Sequence, residues 1–450
     1  MAQDRRQTDL TQGSVALGLI RFSVPAILAG LLQALYGMMD MVIAGKFAGD
    51  NALSGITNGG QLMTILTFLA MGLSFGSNAV IAQRYGGGDA SGRKRAGETT
   101  IVLNLAAGLA LTLVLCAAAG PVIRLLRAPA YHEAVAYFRI CTLGLIPIFL
   151  YNGLSSMIRA LGNSRMPLLF VAAAAAANVG LDLLLVAGFK MGVAGAAIAT
   201  VAAQFASCAA ALAYVLKNQD LFLIRLRALA PSGKDCALIL RIGIPSALQF
   251  FVNGLSFTVL NRLMNQYGVD ASAAYGISDK LRTLCVLFAN STMGTCSAMT
   301  AQCLGAGKPE RAKRVVYTTC LFDLGMTLIL LLFFEPLAPQ LCALFTKVPD
   351  TAALAAGMLR IELIGMIGFC FFTPVAGLAT GSGHTGFVFL NGFLFICLGQ
   401  IVSGILLNRW LGAAGINWSF VFGHFAPIPH CLWFLFSNRW TRSPIQAAGR

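Results

Sequence analysis

Two aspartates in apolar surroundings are the residues of this chain best placed to do chemistry. Asp182 lies within LLFVAAAAAANVGLDLLLVAGFKMGVAGAAIAT, residues 168–200, which reads as two apolar helices joined at Gly188–Gly192. Asp40 lies within a similar apolar stretch near the N-terminus. An ionised carboxylate at the centre of a helix in hydrocarbon costs about 3 kcal/mol on insertion scales, so such residues are rare and usually functional. Two chemistries suit the pair. Carboxylates held together in a low dielectric cannot both stay ionised, so one of them holds a proton. Carboxylate, amide and hydroxyl oxygens are also ligands for a hard cation such as sodium. Either ion would change the local charge and bias one conformation over another.

Spacing brings further oxygens to the same place. Tyr36 and Asn178 precede Asp40 and Asp182 by four residues, the interval that shares a helix face. Asp40 lies six residues before Lys46, and Asp182 six before Gly188. Both carboxylates therefore sit about 9 Å inside their helix ends at 1.5 Å per residue. Thr200 falls at a similar depth, about 13 Å down the next helix. The expected ion-coupling set is Asp40, Asp182, Asn178, Tyr36 and Thr200; a sodium ion would use Asp40, Asp182, Asn178 and Thr200.

The elements that must carry these residues follow from composition. Of 450 residues 57% are hydrophobic and 11% charged, with a mean hydropathy of +0.76. Soluble domains carry about 25% charged residues, so the lipid bilayer is the expected surroundings. Apolar runs near 19–44, 54–82, 99–120, 133–157, 168–188, 192–216, 238–265, 273–300, 315–336, 353–378, 386–408 and 413–436 predict twelve transmembrane helices. With the N-terminus inside, twenty Lys and Arg fall in the inner loops and tails and six in the outer loops, which puts both termini in the cytoplasm. The +15 net charge therefore belongs to membrane topology and not to nucleic acid. No signal peptide is expected in the polar MAQDRRQTDLTQGSV start. The twelve cysteines form no CxxC or Cys/His cluster, which gives no metal site beyond a sodium ion, no cofactor and no disulfide.

The chain repeats itself. RFSVPAIL at 21–28 returns as RIGIPSAL at 241–248, and AQRYGGGD at 82–89 as AQCLGAGK at 301–308. ALGNS at 160–164 parallels GSGHT at 381–385, and MGVAGA at 191–196 parallels LGAAGI at 411–416. An offset of 219–221 residues predicts an all-α polytopic membrane protein of two six-helix lobes in the same orientation around a central cavity. The expected organisation is a cytoplasmic tail (1–18), an N-lobe (19–216), an amphipathic linker (217–237), a C-lobe (238–436) and a second tail (437–450). That is a transporter's architecture.

The second half lacks the aspartate pair, whose counterparts fall at Leu260–Asn261 and Val402–Ser403. Coupling is expected in the first lobe alone. Gln249, Asn253 and Ser256 share a helical face, and with Gln33, Lys280 and Arg282 they make the candidate substrate-cavity residues. Asp279, Lys280, Arg282, Arg360 and Glu362 are expected to snorkel or pair with one another. Asp323 has no evident partner, and its repeat counterpart Asn104 suggests a packing hydrogen bond. His384, His424 and His430 read as structural.

Twelve spans, the six-plus-six repeat, the AQRYGGGDASGRKRA loop, ALGNSR and NVGLDLLLVAGFKMGVAGAAIAT together resemble the multidrug and toxic compound extrusion (MATE) family over almost the whole chain. The resemblance implies a bacterial or archaeal inner-membrane antiporter. Such a protein exports drug-like, mostly cationic organic compounds as H+ or Na+ flows in. It also implies that Tyr36, Asp40, Asn178, Asp182 and Thr200 bind the coupling ion. NorM-like members carry second-lobe acids where this chain has Gln249 and Phe369, so it is more similar to the DinF-like branch. The alternative is a flippase for lipid-linked saccharide or peptidoglycan precursors, which would use basic residues such as Lys280 and Arg282. A membrane enzyme would need a metal cluster or a nucleophile with a positioned base, and neither stands at helical spacing. The expected form is a monomer.

Overall fold

The computed structural model describes residues 9–125, 130–226, 229–393 and 398–449, which are helical almost throughout and contain no strand. The first half is α1 (Val15–Ala48), α2 (Asp50–Gly86), α3 (Ala90–Leu125), α4 (Tyr131–Leu143), α5 (Leu145–Ala160), α6 (Arg165–Asp182), α7 (Gly192–Lys217) and the short α8 (Gln219–Phe222). The second half is α9 (Gly233–Met264), α10 (Val269–Gly305), α11 (Pro309–Ala343), α12 (Pro349–Ser382), α13 (Thr385–Asn391), α14 (Leu398–Leu411), α15 (Ala413–Phe425), α16 (Ile428–Phe436) and α17 (Pro444–Gly449). In hydrocarbon every backbone N–H and C=O must be bonded within the chain, which is why apolar runs of this length fold as helices.

The repeat is visible in the turns. Gly49, Gly88, Gly162 and Gly192 adopt positive φ, and so do Gly268, Gly307, Gly383 and Gly412, at the same 219–221 residue offset. A left-handed residue between two helices strongly favours glycine, which has no Cβ to clash. The glycines that made the two halves look alike in sequence are thus the ones that turn the chain.

Among the described residues nine helices are long and apolar enough to cross a membrane, or ten if α4 and α5, bent by 44°, form one span. Twelve spans were expected; the predicted stretches not counted singly are 133–157, 273–300 and 386–408. Helix α10 has 37 residues, but its stretch beyond Arg282 is rich in Ser, Thr and Asn and so less apolar. The 386–408 stretch includes residues 394–397, which lie outside the described residues. The 133–157 span bends at Gly144, between α4 and α5.

Two compact units emerge. One comprises residues 1–9 and 24–247, the other 10–23 and 248–450. The chain passes between them inside α1 and inside α9, near the repeat-related Pro25 and Pro245. Each unit therefore holds the leading end of a helix whose remainder belongs to the other. In the first unit, Arg84 at the end of α2 forms a two-pronged ion pair with Asp235 in the first turn of α9, with Nη1–Oδ2 at 2.9 Å. The Thr99 hydroxyl accepts the Ser232 N–H at 2.9 Å. In the second unit, the Arg311 guanidinium donates to the carbonyls of Leu10, Gln12 and Gly13, and Lys308 to that of Thr11 at 3.1 Å.

Inside the first unit, α2, α4, α5 and α7 share a core that includes Ile56, Ala134, Phe138, Phe149 and Ala196. In lipid, association of helices rests on close packing more than on removal of apolar surface from water. Gly59 is such a packing point: a Cβ there would lie 2.7 Å from the Tyr137 ring.

Candidate functional site

The expected first-lobe residues come together within the first unit. Asp40 on α1, 8% exposed, and Asp182 at the end of α6, fully buried, are near enough for their charges to interact. Neither forms an ion pair among the described residues. Asp40 Oδ1, both Asp182 carboxylate oxygens, both polar atoms of the Asn178 amide, Thr200 Oγ1 and Gln204 Oε1 are buried with no hydrogen-bond partner among the described residues. Buried polar atoms are nearly always bonded. Several unbonded ones, most of them oxygens, stand here on α1, α6 and α7.

The helix changes character directly after Asp182. Asp182 is the last residue of α6, and Leu183–Gly188 continues as a single π-helical turn. Such turns insert one extra residue, shift the register of the helix beyond them, and recur at functional sites. The wider turn closes through the Phe189 N–H on the Leu184 carbonyl at 2.9 Å.

A cleft opens beside these groups, wholly within the first unit. Gln33 and Tyr36 of α1, Tyr151 and Asn152 of α5, Asn178 of α6, and Thr200 and Gln204 of α7 are among its lining residues. Asp40 and Asp182 do not line it; they lie one helical turn beyond Tyr36 and Asn178. Among the described residues the cleft has no basic side chain in its lining. A polar, partly aromatic wall with two carboxylates behind it favours cations over anions.

Sequence reasoning missed four neighbours. Tyr137 and Cys141 of α4 lie within electrostatic reach of Asp40, and Tyr151 and Gln204 line the cleft. Tyr137 and Cys141 follow each other at the four-residue interval within AVAYFRICTL, which was a usable signal. Nothing in the sequence pairs α4 with α1.

The second-lobe candidates are distributed differently. Ser256 donates to Gln400 Oε1 at 2.8 Å, and Gln249 is buried against Gly392. The Asn253 side chain lies outside the described residues. Lys280 is exposed. Arg282 is ion-paired with Asp279 and, at 3.5 Å, with Glu362, and it stacks on the Phe420 ring at 4.6 Å. Arg360 pairs with Glu335 at 2.9 Å. The histidines have local partners: His424 the Phe420 carbonyl at 2.6 Å, His430 the Asn391 amide at 3.0 Å, and His384 the Ser382 hydroxyl at 3.1 Å.

A helical, multi-pass membrane protein of two related halves, with unbonded polar groups and a cleft inside one of them, belongs to the broad class of membrane carriers in its architecture. The family is established by comparison. The MatE family model matches residues 25–184 and 245–408, and the chain belongs to that family. Each matched segment begins at one of the two repeat-related prolines, Pro25 and Pro245. Among curated relatives, the chain is 27% identical over 426 residues to the probable multidrug resistance protein YpnP of Bacillus subtilis, covering 91% of this chain and 92% of that one. It is 25% identical over 410 residues to the multidrug export protein MepA of Staphylococcus aureus, covering 89% of each. A solved structure described as the outward-facing conformation of a multidrug resistance MATE family transporter superposes with a TM-score of 0.90 at 21% identity, covering 98% of both chains.

Proposed function

We propose that this protein is a secondary active antiporter of the inner membrane that exports organic, amphipathic and mainly cationic compounds, driven by inward flow of H+ or Na+. The observation that carries the reading is the set of unbonded buried groups at Asp40, Asp182, Asn178 and Thr200 beside the first-unit cleft. The ion binds at the carboxylates, with Tyr36 as their neighbour on the cleft side. The drug-like substrate enters from the cavity side, with Gln33 as a first polar contact. Ion and substrate exclude one another electrostatically, since a site holding a cation loses the negative charge that attracts a cationic drug. Alternating access then depends on which of the two is bound. Both termini lie in the cytoplasm by the distribution of Lys and Arg, no cofactor is needed, and the protein works as a monomer.

The relatives named for multidrug resistance and export support the same reading. The flippase alternative needs free basic groups for a pyrophosphate. Of its two candidates Arg282 is already engaged by two carboxylates, which leaves that reading weaker. The test is ethidium efflux in proteoliposomes under an imposed proton gradient and, separately, a sodium gradient. Efflux under one gradient and not the other identifies the driving ion. Efflux under neither removes the proposal.

A further inference from the structure

The second unit carries a patch of cations and exposed rings that the antiport reading does not use. The apolar span Ala413–Phe436 ends at Phe436, and the apolar span of α11 begins at Pro309. Lys313, one turn into α11, holds its ammonium 5.8 Å from the centre of the Phe436 ring. Arg439 holds its guanidinium 5.0 Å from the Trp433 ring. Trp433 and Phe436 are three residues apart on α16, an interval that makes helix-surface neighbours. They are 48% and 60% exposed. Two cations thus sit over two exposed rings on one side of the unit, where two apolar spans reach their ends.

The surrounding chain fixes both cations. After α16, Asn438 takes the left-handed conformation that asparagine tolerates. Trp440 is buried, and its indole N–H donates to the Leu435 carbonyl at 3.0 Å. The Ser443 hydroxyl then ties the tail to the Ser382 carbonyl at 2.9 Å. Trp433 is backed by His430, stacked at 5.5 Å and bonded to Asn391 at 3.0 Å. Among the described residues no ion pair involves Lys313, Arg314, Arg439 or Arg442, and Glu310, exposed one turn before Lys313, pairs with none of them. The first half treats the same lysine differently. KRAGETT at 94–100 corresponds to KRVVYTT at 313–319, so Lys94 matches Lys313 and Glu98 matches Tyr317. Lys94 faces Glu98 at 3.9 Å. In the second half that carboxylate is a tyrosine. The first-half counterparts of Trp433, Phe436 and Arg439 are Ala213, Leu216 and Gln219, none of them aromatic or charged.

We propose that this patch binds the headgroup of an anionic phospholipid of the inner leaflet, with Lys313 and Arg439 on the phosphate and Trp433 and Phe436 against the glycerol and upper acyl chains. A cation over an aromatic ring keeps N–H donors for a further acceptor, and a phosphate oxygen is a strong one. Aromatic rings with basic neighbours at a span end stand at headgroup depth, and the cytoplasmic leaflet carries the anionic lipids that basic side chains attract. The exposed rings favour a lipid over a free anion, which gains nothing from them. The inference rests on the cytoplasmic placement of the second tail and is independent of ion coupling in the first unit.

The experiment uses the full chain purified in detergent and titrated with phosphatidylglycerol or phosphatidylcholine brominated on the acyl chains, which quench indole fluorescence on contact. The expected result is saturable quenching by phosphatidylglycerol beyond that by phosphatidylcholine, lost in Trp433→Phe. Lys313→Gln and Arg439→Gln should each weaken the phosphatidylglycerol affinity about fivefold, the size of one basic side chain near an anionic surface. Tyr317→Glu, which places a carboxylate where the first half has one, should weaken it too, whereas Lys94→Gln should leave it unchanged. Equal quenching by the two lipids overturns the proposal. So does a phosphatidylglycerol preference that survives Trp433→Phe or the Lys313→Gln/Arg439→Gln double variant. Inorganic phosphate at matched ionic strength should not displace the lipid; complete displacement would assign the patch to a free anion and overturn the lipid assignment.

Discussion

The ion pair between Arg84 and Asp235 offers a prediction whose size can be worked out. Both side chains are nearly buried, at 9% and 4% exposure. The guanidinium makes two bonds to the carboxylate and one, from Nη1 at 2.6 Å, to the Gly92 carbonyl. Asp235→Ala would leave a buried guanidinium with the Gly92 bond alone. Breaking a buried pair by removing one partner costs about 3–5 kcal/mol. The surviving charge-assisted bond offsets part of that, so the expected loss is about 2–3 kcal/mol. Because the pair is shielded from solvent, the loss should persist at high salt, unlike that of a surface pair. The assay is a double-mutant cycle of Arg84→Ala, Asp235→Ala and the double variant, read as unfolding free energy in detergent. Coupling of about 1–3 kcal/mol is expected for groups in direct contact. Additivity within about 0.5 kcal/mol would refute the reasoning. It would mean that the start of α9 is held by the Ser232–Thr99 bond and packing, without help from the pair.

Three further variants have defined outcomes. Arg282→Leu strands Asp279 and Glu362 next to each other, so it should destabilise the second unit by about 3–5 kcal/mol, and adding Glu362→Gln should recover part of the loss in the same unfolding assay. Gly59→Ala forces a Cβ to within 2.7 Å of the Tyr137 ring, which costs about 1–3 kcal/mol as overpacking and should reduce transport by displacing Tyr137 from Asp40. Asp89 lies in the turn between α2 and α3, where the Gly92 N–H at 2.8 Å, first, and the Ser91 hydroxyl hold its carboxyl below the usual carboxylate range. A lowered folded pKa contributes stability above the ordinary carboxylate pKa, and that stability is lost as pH falls through the folded value. Asp89→Ala should therefore lower the unfolding midpoint at neutral pH, and the gap to the parent protein should shrink on acidification.

Much of the architecture was legible in the residues because periodicity and repetition are local signals. The turn glycines, the two prolines and the apolar runs carry the fold without knowledge of any contact. The depth of Asp40 and Asp182 could be counted along their helices, and their i−4 partners came from helix geometry. Contacts across the bundle were another matter. That Tyr137 approaches Asp40 depends on Gly59 letting α4 close against α2, which no spacing within α4 reveals. The pairing of Arg282 with Glu362 joins α10 to α12, and sequence offered only that nearby charges would find partners. The bend at Gly144 and the π-turn after Asp182 break regular helices at points where the composition stays apolar. The leading ends of α1 and α9 are held by the opposite repeats through Arg311 and Arg84, and both looked like ordinary inner-loop positive charges.

The account rests on the first-unit carboxylates as the place where ion and substrate exchange. Its most direct test is ethidium efflux from proteoliposomes carrying the parent protein, Asp40→Asn or Asp182→Asn under the driving gradient. Unfolding midpoints measured in parallel establish that the variants are intact. The account predicts gradient-driven efflux from the parent and none above the no-gradient baseline from either folded variant. Efflux at the parent rate from a folded Asp40→Asn or Asp182→Asn protein would contradict it.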